Sequence, residues 1–251
     1  MRGVTAYTRF EVGRLLRSWK FLIITIGFPV VFYMLFVGNH RPHTIVDGTV
    51  EWRTYLLVTM CSFGSLVASL TAGGARLSSE RASGWSRQLA VTPLPGWSYL
   101  VTKVVATLLV VLPEVLLVEV VGVAFGGVHL SPAQWFGLTA LLWVSSLPFV
   151  VIGIFVGWTV HAETAFAVVV GLLFVLGYFG GLFTPVNNLP SALQVVAHIL
   201  PSFHGAALGV SLLDHRGLGI SHWLILGAYA AAFSGVLLLR QHRDETRMRV
   251  A

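Results

Sequence analysis

Two carboxylates, Glu114 and Glu119, lie inside an otherwise apolar stretch of the 251-residue chain. A charged carboxylate at the centre of a bilayer costs about 2.5–3.5 kcal/mol on insertion scales, so both are functional candidates if this stretch crosses a membrane. Their chemistry would be proton handling, contact with a substrate, or hydrogen bonding between helices. Five helical residues separate the two side chains by about 140°, so they do not form an acid pair on one face. We favour helix–helix hydrogen bonding over proton or substrate handling.

Few other residues are arranged to do chemistry. Neither of the two lysines, Lys20 and Lys103, follows the glycine-rich pattern of a phosphate-binding loop. His40 and His43 are close in sequence, but two ligands without a nearby acid or cysteine make a poor metal site. The single cysteine, Cys61, excludes a disulfide framework. We therefore expect no catalytic residue, no metal and no nucleotide bound by this chain.

The composition is that of a membrane protein. Hydrophobic residues make up 56% of the chain and charged residues 10%, whereas soluble domains carry about 25% charged residues. This excludes an ordinary soluble enzyme and a disordered protein. The net charge of +6 is better explained by topology than by nucleic-acid binding, because Lys and Arg collect on the cytoplasmic side of membrane proteins.

Six apolar runs are long enough to cross a bilayer, which takes about 20 residues. Lipid cannot satisfy backbone polar groups, so each run should be a helix. Strands of a membrane barrel would alternate apolar and polar residues, and these runs do not. The runs are residues 21–37, 54–75, 104–128, 135–160, 165–183 and 223–239.

Basic residues predict the orientation of these helices. With both termini in the cytoplasm, 13 of the 16 Lys and Arg residues lie on the cytoplasmic side, in line with the positive-inside rule. Residues 4–19 read as an amphipathic helix on the membrane surface, with Val4, Val12, Leu15 and Trp19 on its apolar side; a cytoplasmic extension of the first span is the alternative. No linker divides the chain, which predicts one membrane domain over residues 1–251.

The segment 76–103 concentrates charge between the second and third runs. Ser78 or Ser79 can cap a short helix with Glu80 in its first turn, and Gly84 would weaken that helix in mid-course. A helix here suits docking to a soluble partner. A solvated loop that only carries the topogenic charges fits the composition equally well.

The order of residues in this segment resembles the signature of type-2 ATP-binding-cassette (ABC) exporter permeases. Glu80-Arg81-x-x-Gly84 is followed by Leu89, by Thr92-Pro93-Leu94 and by the basic Lys103. In that family the segment is the coupling helix that contacts the ATPase subunit. The resemblance therefore implies a coupling role for six residues: Glu80, Arg81, Gly84, Leu89, Thr92 and Pro93.

A second patch resembles the same family. After Gly180-Gly181, Pro185 and Leu189-Pro190 lead to an apolar helix over residues 191–200, which Pro201 ends. Since this helix is too short to span a bilayer, it is similar to the family's extracellular re-entrant hairpin. The family's fifth span lines the transport route, which makes Phe174 and Tyr178 candidate pathway residues; lipid contact or core packing is the simpler alternative for each.

The resemblance covers the whole chain and implies an all-α membrane protein. It would have six transmembrane helices, an N-terminal interfacial helix, a cytoplasmic coupling helix and an extracellular re-entrant helical hairpin. Such a protein is the permease subunit of an exporter in the cell (plasma) membrane and pairs with a second permease. ATP and Mg²⁺ bind to a separate ATPase subunit. Hydrophobic drug-like or lipid-like molecules are the expected substrates; the alternatives are a polysaccharide or lipid-linked glycan, or a proton-coupled secondary carrier that uses Glu114 and Glu119.

Overall fold

The computed structural model describes residues 2–38, 44–85, 88 and 96–250, and most of them are helical. Six of the described helices are long and apolar enough to cross a membrane, which confirms the six predicted runs. We call them the first to sixth spans: Trp19–Phe36, Trp52–Ala82, Ser98–Ala124, Pro132–Thr159, Ala162–Phe179 and Ile220–Arg240.

Several spans are interrupted or extended. Three contain a π-helical turn, at Ile23–Gly27 in the first, Thr71–Arg76 in the second and Val175–Phe179 in the fifth. The fourth consists of Pro132–Ser145 and Leu147–Thr159, and Pro148 explains the break, because proline cannot donate the backbone hydrogen bond that would continue the helix. The third belongs to a longer helix, Gly96–Ala124, and the sixth to Ile220–Val250.

The second span is the centre of the bundle. Of its most apolar 18-residue stretch, 94% is buried within the chain. Small residues allow its close contact with the fourth span. A Cβ atom at Gly153 would lie 2.4 Å from the Ser69 carbonyl oxygen, and one at Gly157 would lie 2.1 Å from the Gly73 carbonyl oxygen. The two helices therefore touch backbone to backbone.

A helix at the N-terminus, Arg2–Leu16, packs against the third span. Its buried positions are Tyr7, Glu11 and Leu15, four residues apart on one face, whereas Trp19 is 66% exposed. Of the predicted apolar side, Leu15 is buried within the chain and Trp19 is open to contact with lipid, so the position of this helix on the membrane surface stays a prediction. The face that packs against the third span instead carries Tyr7 and Glu11, which the hydrophobic pattern alone could not select.

Two short elements depart from the expected all-helical pattern. Strands β1 (Ile45–Asp47) and β2 (Val50–Glu51) form a small antiparallel hairpin before the second span.

The helix predicted at 191–200 ends earlier and comprises Ser191–Ala197. Pro201 begins a further helix, Pro201–Leu213, at 85° to it. Proline suits the first turn of a helix because its missing N–H would be unpaired there. Counted as one broken span, this pair would give a seventh crossing.

Candidate functional site

Four charged side chains converge where the N-terminal helix meets the second and third spans. Lys103 Nζ lies 2.6 Å from Glu11 Oε1 and also donates to the Glu80 carboxylate. Arg14 donates to both carboxylates, at 3.0 Å for Glu11. We call Glu11, Arg14, Glu80 and Lys103 the ion cluster. It joins three helices that are distant in sequence.

The ion cluster is shielded from solvent. The side chains of Glu11, Glu80 and Lys103 are each less than a tenth exposed. Arg76 adds a further cation, its Nε lying 3.6 Å from Glu80 Oε1. Burial alone would favour the neutral acid at Glu11, but Lys103 and Arg14 outweigh it and hold the pKa of Glu11 below its ordinary value of 4.5. Removing one partner of a buried ion pair of this kind lowers the free energy of unfolding by about 3–5 kcal/mol, because the other charge is left buried and unpaired.

Glu80 reaches the ion cluster because the second span does not stop at the bilayer-length run. The helix continues through Leu77–Ala82 without a new start. Ser78 donates its hydroxyl to the Val160 carbonyl oxygen at 2.7 Å, so the expectation that Ser78 or Ser79 caps a separate helix is wrong. A tertiary contact uses the serine that the local sequence would assign to a cap.

Arg81 joins the same segment to the fourth span. Its guanidinium donates to the carbonyl oxygens of Gly157, at 3.1 Å, and Trp158, and it lies 5.1 Å from the centre of the Trp158 ring. These carbonyls belong to the last turn of Leu147–Thr159. A cation at this end of a helix is favourable, because it satisfies carbonyls that lack helical partners and complements the helix dipole.

Gly84 ends the helix rather than weakening its middle. The helix stops at Ala82, and Gly84 has a φ of 78°, a left-handed conformation that glycine adopts without the cost of a Cβ atom. The prediction that it lies in mid-helix is therefore wrong. The remaining predicted coupling residues, Leu89, Thr92 and Pro93, lie outside the described residues.

The two intramembrane carboxylates face different helices, as their spacing predicted. Glu119 accepts two contacts from the Thr139 hydroxyl of the fourth span, at 2.8 and 3.0 Å. Glu114 instead lies against the second span, where a Cβ atom at Gly64 would be 1.6 Å from its Oε1. Glu119 thus hydrogen-bonds between helices, whereas both Glu114 oxygens are buried without a hydrogen bond.

The predicted pathway aromatics lie on the surface of the fifth span. Phe174 is 62% exposed and Tyr178 is 40% exposed. Their rings are parallel with centroids 5.7 Å apart. They are open to contact with lipid, with another subunit or with an apolar ligand, and they are not packed in the core.

Histidines come together at the opposite end of the bundle from the ion cluster. The Nδ1 atoms of His204 and His222 are 2.7 Å apart, and His204 Nε2 donates to the His198 carbonyl oxygen at 2.9 Å. A cavity of about 360 Å³ lies beside them. Within the described part of the chain, no three His, Cys, Asp or Glu side chains are arranged to hold a metal.

Comparison with known proteins identifies the family. The family described as ABC-2 family transporter protein matches residues 47–239, which is most of the chain. The chain belongs to the ABC-2 transporter family. It is also 28% identical over 225 residues to the protein named "Putative transport permease YvfS" of Bacillus subtilis (strain 168), covering 89% of this chain and 90% of that protein. The chain is therefore a multi-pass membrane transport permease, and ABC-2 membership implies association with an ATP-binding subunit.

The ABC-2 match explains part of the site and omits the rest. It includes Glu80, Arg81 and Lys103 but begins after the N-terminal helix. Glu11 and Arg14, which complete the ion cluster, were missed by sequence reasoning. The available signal was weak: Glu11 is a lone acid in a basic segment, spaced four residues from Tyr7 and Leu15.

Proposed function

We propose that this ABC-2 permease is the membrane subunit of an ATP-driven exporter in the cell membrane, with both termini cytoplasmic. Two copies, or one copy and a related permease, would form the transport route as single-domain halves. ATP and Mg²⁺ would bind to a separate ATPase subunit, because this chain has no phosphate-binding loop. The N-terminal helix would lie at the membrane interface, and the bent helix pair would re-enter the membrane from outside.

One observation carries the proposal: the motif helix is continuous with the buried second span and is fastened to its neighbours. Glu80 is held by the ion cluster and Arg81 by the end of the fourth span. A force applied just beyond Ala82 would therefore act on three spans and the N-terminal helix together. ATP binding would bias the arrangement of the spans through this connection, provided that the ATPase subunit contacts the two arrangements differently.

This geometry changes how Glu80 and Arg81 would act. Both side chains have partners within the chain, so their direct contact with an ATPase subunit is not needed for a coupling role. We infer that they hold the coupling segment in place, while residues at and beyond Gly84 would meet the ATPase subunit. Glu80 and Arg81 are then positioning residues.

A hydrophobic drug-like or lipid-like substrate is supported by the exposed surface of the fifth span. Phe174 and Tyr178 offer stacked aromatic faces, and large exposed apolar side chains such as Phe166 and Val170 lie on the same span. Export of a glycan would instead call for polar groups along the route. Inhibition of transport by substitution of Phe174 with a small residue would support the apolar route.

The test is coupled ATPase activity in proteoliposomes that contain the permease together with an ABC ATPase subunit from the same organism. We expect Arg81→Ala to lower the ratio of substrate-stimulated to basal activity several-fold. Arg53→Ala is the matched control, because Arg53 likewise donates to a backbone carbonyl oxygen near a helix C-terminus, that of Gly126 at 3.1 Å, at the opposite end of the bundle. It should leave the ratio unchanged.

Three outcomes would contradict the proposal. Equal ratios for wild type and Arg81→Ala would remove the coupling role of this segment. Robust ATP hydrolysis by the permease alone would refute a separate ATPase subunit. Failure of the two subunits to co-purify would refute the ABC partnership itself.

A further inference from the structure

Glu114 occupies a notch between the second and third spans. It follows Pro113 in the third span, and it is 1% exposed. The carboxyl group fills the space that a side chain at position 64 would need, since a Cβ atom on Gly64 would lie 1.6 Å from Oε1 and 2.4 Å from Cδ. The glycine thus admits the acid into the interface between the two helices.

In the part of the chain that the structure describes, this notch contains no cation to pair with a negative charge. Neither carboxyl oxygen of Glu114 has a well-formed hydrogen bond, although the Ser65 hydroxyl lies beside the group, and both oxygens are inaccessible to solvent. The nearest titratable groups are Glu119 on the same span and the Cys61 thiol on the second span. Within the described residues no basic side chain pairs with Glu114. A carboxylate here would be an unpaired buried charge, which is among the costliest arrangements in a protein.

A neutral carboxylic acid fits the same notch. It carries one O–H donor and needs one acceptor. Ser65 lies beside the carboxyl group, and its hydroxyl hydrogen is used in a 2.8 Å bond to the Cys61 carbonyl oxygen, which leaves its lone pairs free. Among the described residues the notch therefore offers the Ser65 hydroxyl oxygen as an acceptor and no cation.

Glu119 shows the contrast. Both of its oxygens lie within 3.0 Å of the Thr139 hydroxyl, which also lies 2.9 Å from the Trp135 carbonyl oxygen. Glu119 is 5% exposed, whereas the Glu114 carboxyl oxygens are wholly enclosed between two helices.

We propose that Glu114 is a proton-binding site, occupied as a neutral carboxylic acid while the second and third spans are in contact. The proton leaves when the two spans separate and water reaches the carboxyl group. The Ser65 hydroxyl is the polar group beside it on the second span. Any rearrangement of these two spans is then linked to pH, whether or not ATP drives it.

Infrared spectroscopy of the full-length chain in liposomes tests the site directly. A protonated carboxyl group has a C=O stretch that is separate from carboxylate bands and shifts in D₂O. We expect the difference spectrum of wild type minus Glu114→Gln at neutral pH to contain one such band. Glu163→Gln is the matched control, because Glu163 is exposed in the first turn of the fifth span, and its difference spectrum should contain only carboxylate bands.

Two further variants keep the test decisive if Glu114→Gln folds poorly. Glu114→Asp shortens the side chain and keeps the acid, so the band should shift in position and persist. Gly64→Ala should destabilise the wild type by clashing with the carboxyl group, and Glu114→Ala should rescue it in the double variant. A carboxylate band in place of the protonated band, with Glu114→Asp folded, would overturn the proposal; an unrescued Gly64→Ala would overturn the notch geometry behind it.

Discussion

Lys103→Met should destabilise the whole bundle, because Lys103 is the most buried cation of the ion cluster. Its Nζ atom neutralises both Glu11 and Glu80, and its side chain is 5% exposed. Methionine keeps much of the length and apolar stem but leaves two buried carboxylates with Arg14 as their main partner. The local helices have no other reason to change.

The expected cost follows from the geometry of the ion cluster. Removing one partner of a buried ion pair costs about 3–5 kcal/mol. Arg14 still contacts both carboxylates, so we expect the lower end, about 3 kcal/mol. For a domain of 150–250 residues, each kcal/mol shifts Tm by roughly 2–4 °C, which gives a decrease of roughly 6–12 °C.

The chain contains its own reporter for this measurement. Cys61 is the single cysteine and is 0% exposed, so a thiol-reactive fluorogenic dye reacts as the bundle opens. Lys20→Met is the matched control, since Lys20 is the other lysine and is exposed; losing an exposed charge costs about 0–1 kcal/mol. Glu11→Gln combined with Lys103→Met should recover part of the loss, because the pair is then removed together. If Lys103→Met and Lys20→Met melt at the same temperature, the ion cluster does not stabilise the fold as argued.

Two further predictions concern Tm, the first measured with the same dye and the second by intrinsic tryptophan fluorescence, because the reactive thiolate is not formed in acid. Gly157→Ala should prevent stable folding or lower the free energy of unfolding by at least about 3 kcal/mol, the upper end of typical overpacking, because its Cβ atom would lie 2.1 Å from the Gly73 carbonyl oxygen. Gly171→Ala is the control and should be neutral, since a Cβ atom there would meet no neighbouring atom within 4 Å. Equal stability of the two variants would contradict the backbone contact. The fold lowers the pKa of Glu11 below its ordinary value of 4.5. The ionised Glu11 side chain therefore contributes fully to the free energy of unfolding above pH 4.5, and this contribution is lost as the pH falls through the lower pKa of the folded state. Tm should therefore fall more steeply with acid below pH 4.5 in wild type than in Glu11→Gln, and parallel curves would show that Glu11 is not ion-paired.

Sequence reasoning predicted the spans because a bilayer imposes both length and polarity on a helix. All six apolar runs became helices within a few residues of the predicted bounds, apart from the second, which extends to Ala82, and the third, which begins at Ser98. That extension was not predictable from Ser78, since serine favours a cap by its local chemistry and only the position of the Val160 carbonyl oxygen decides otherwise.

The site was predicted less completely than the spans. The motif pointed to Glu80 and Arg81, but a motif does not say where a side chain finds its partner. Glu11 lies 69 residues before Glu80 and has no pattern of its own, so only the packing of the N-terminal helix reveals it. Gly64 is similar: its small size indicated close helix packing, and the structure shows that a carboxyl group fills the space.

The distribution of contacts suggests which parts of the bundle move together. The second and fourth spans touch through glycine backbones and through Arg81, and the ion cluster adds the third span and the N-terminal helix. Close-packed contacts of this kind shift between discrete arrangements and do not deform continuously. The first, fifth and sixth spans bury only 11–22% of their most apolar 18-residue stretches within the chain. The first and the fifth also contain π-helical turns, which often mark functional positions in helices. A rearrangement can keep the second, third and fourth spans together and change how the three outer spans pack. Alternatively, it can separate the second span from the third at Glu114, where no ion pair with a described residue holds the acid in its notch.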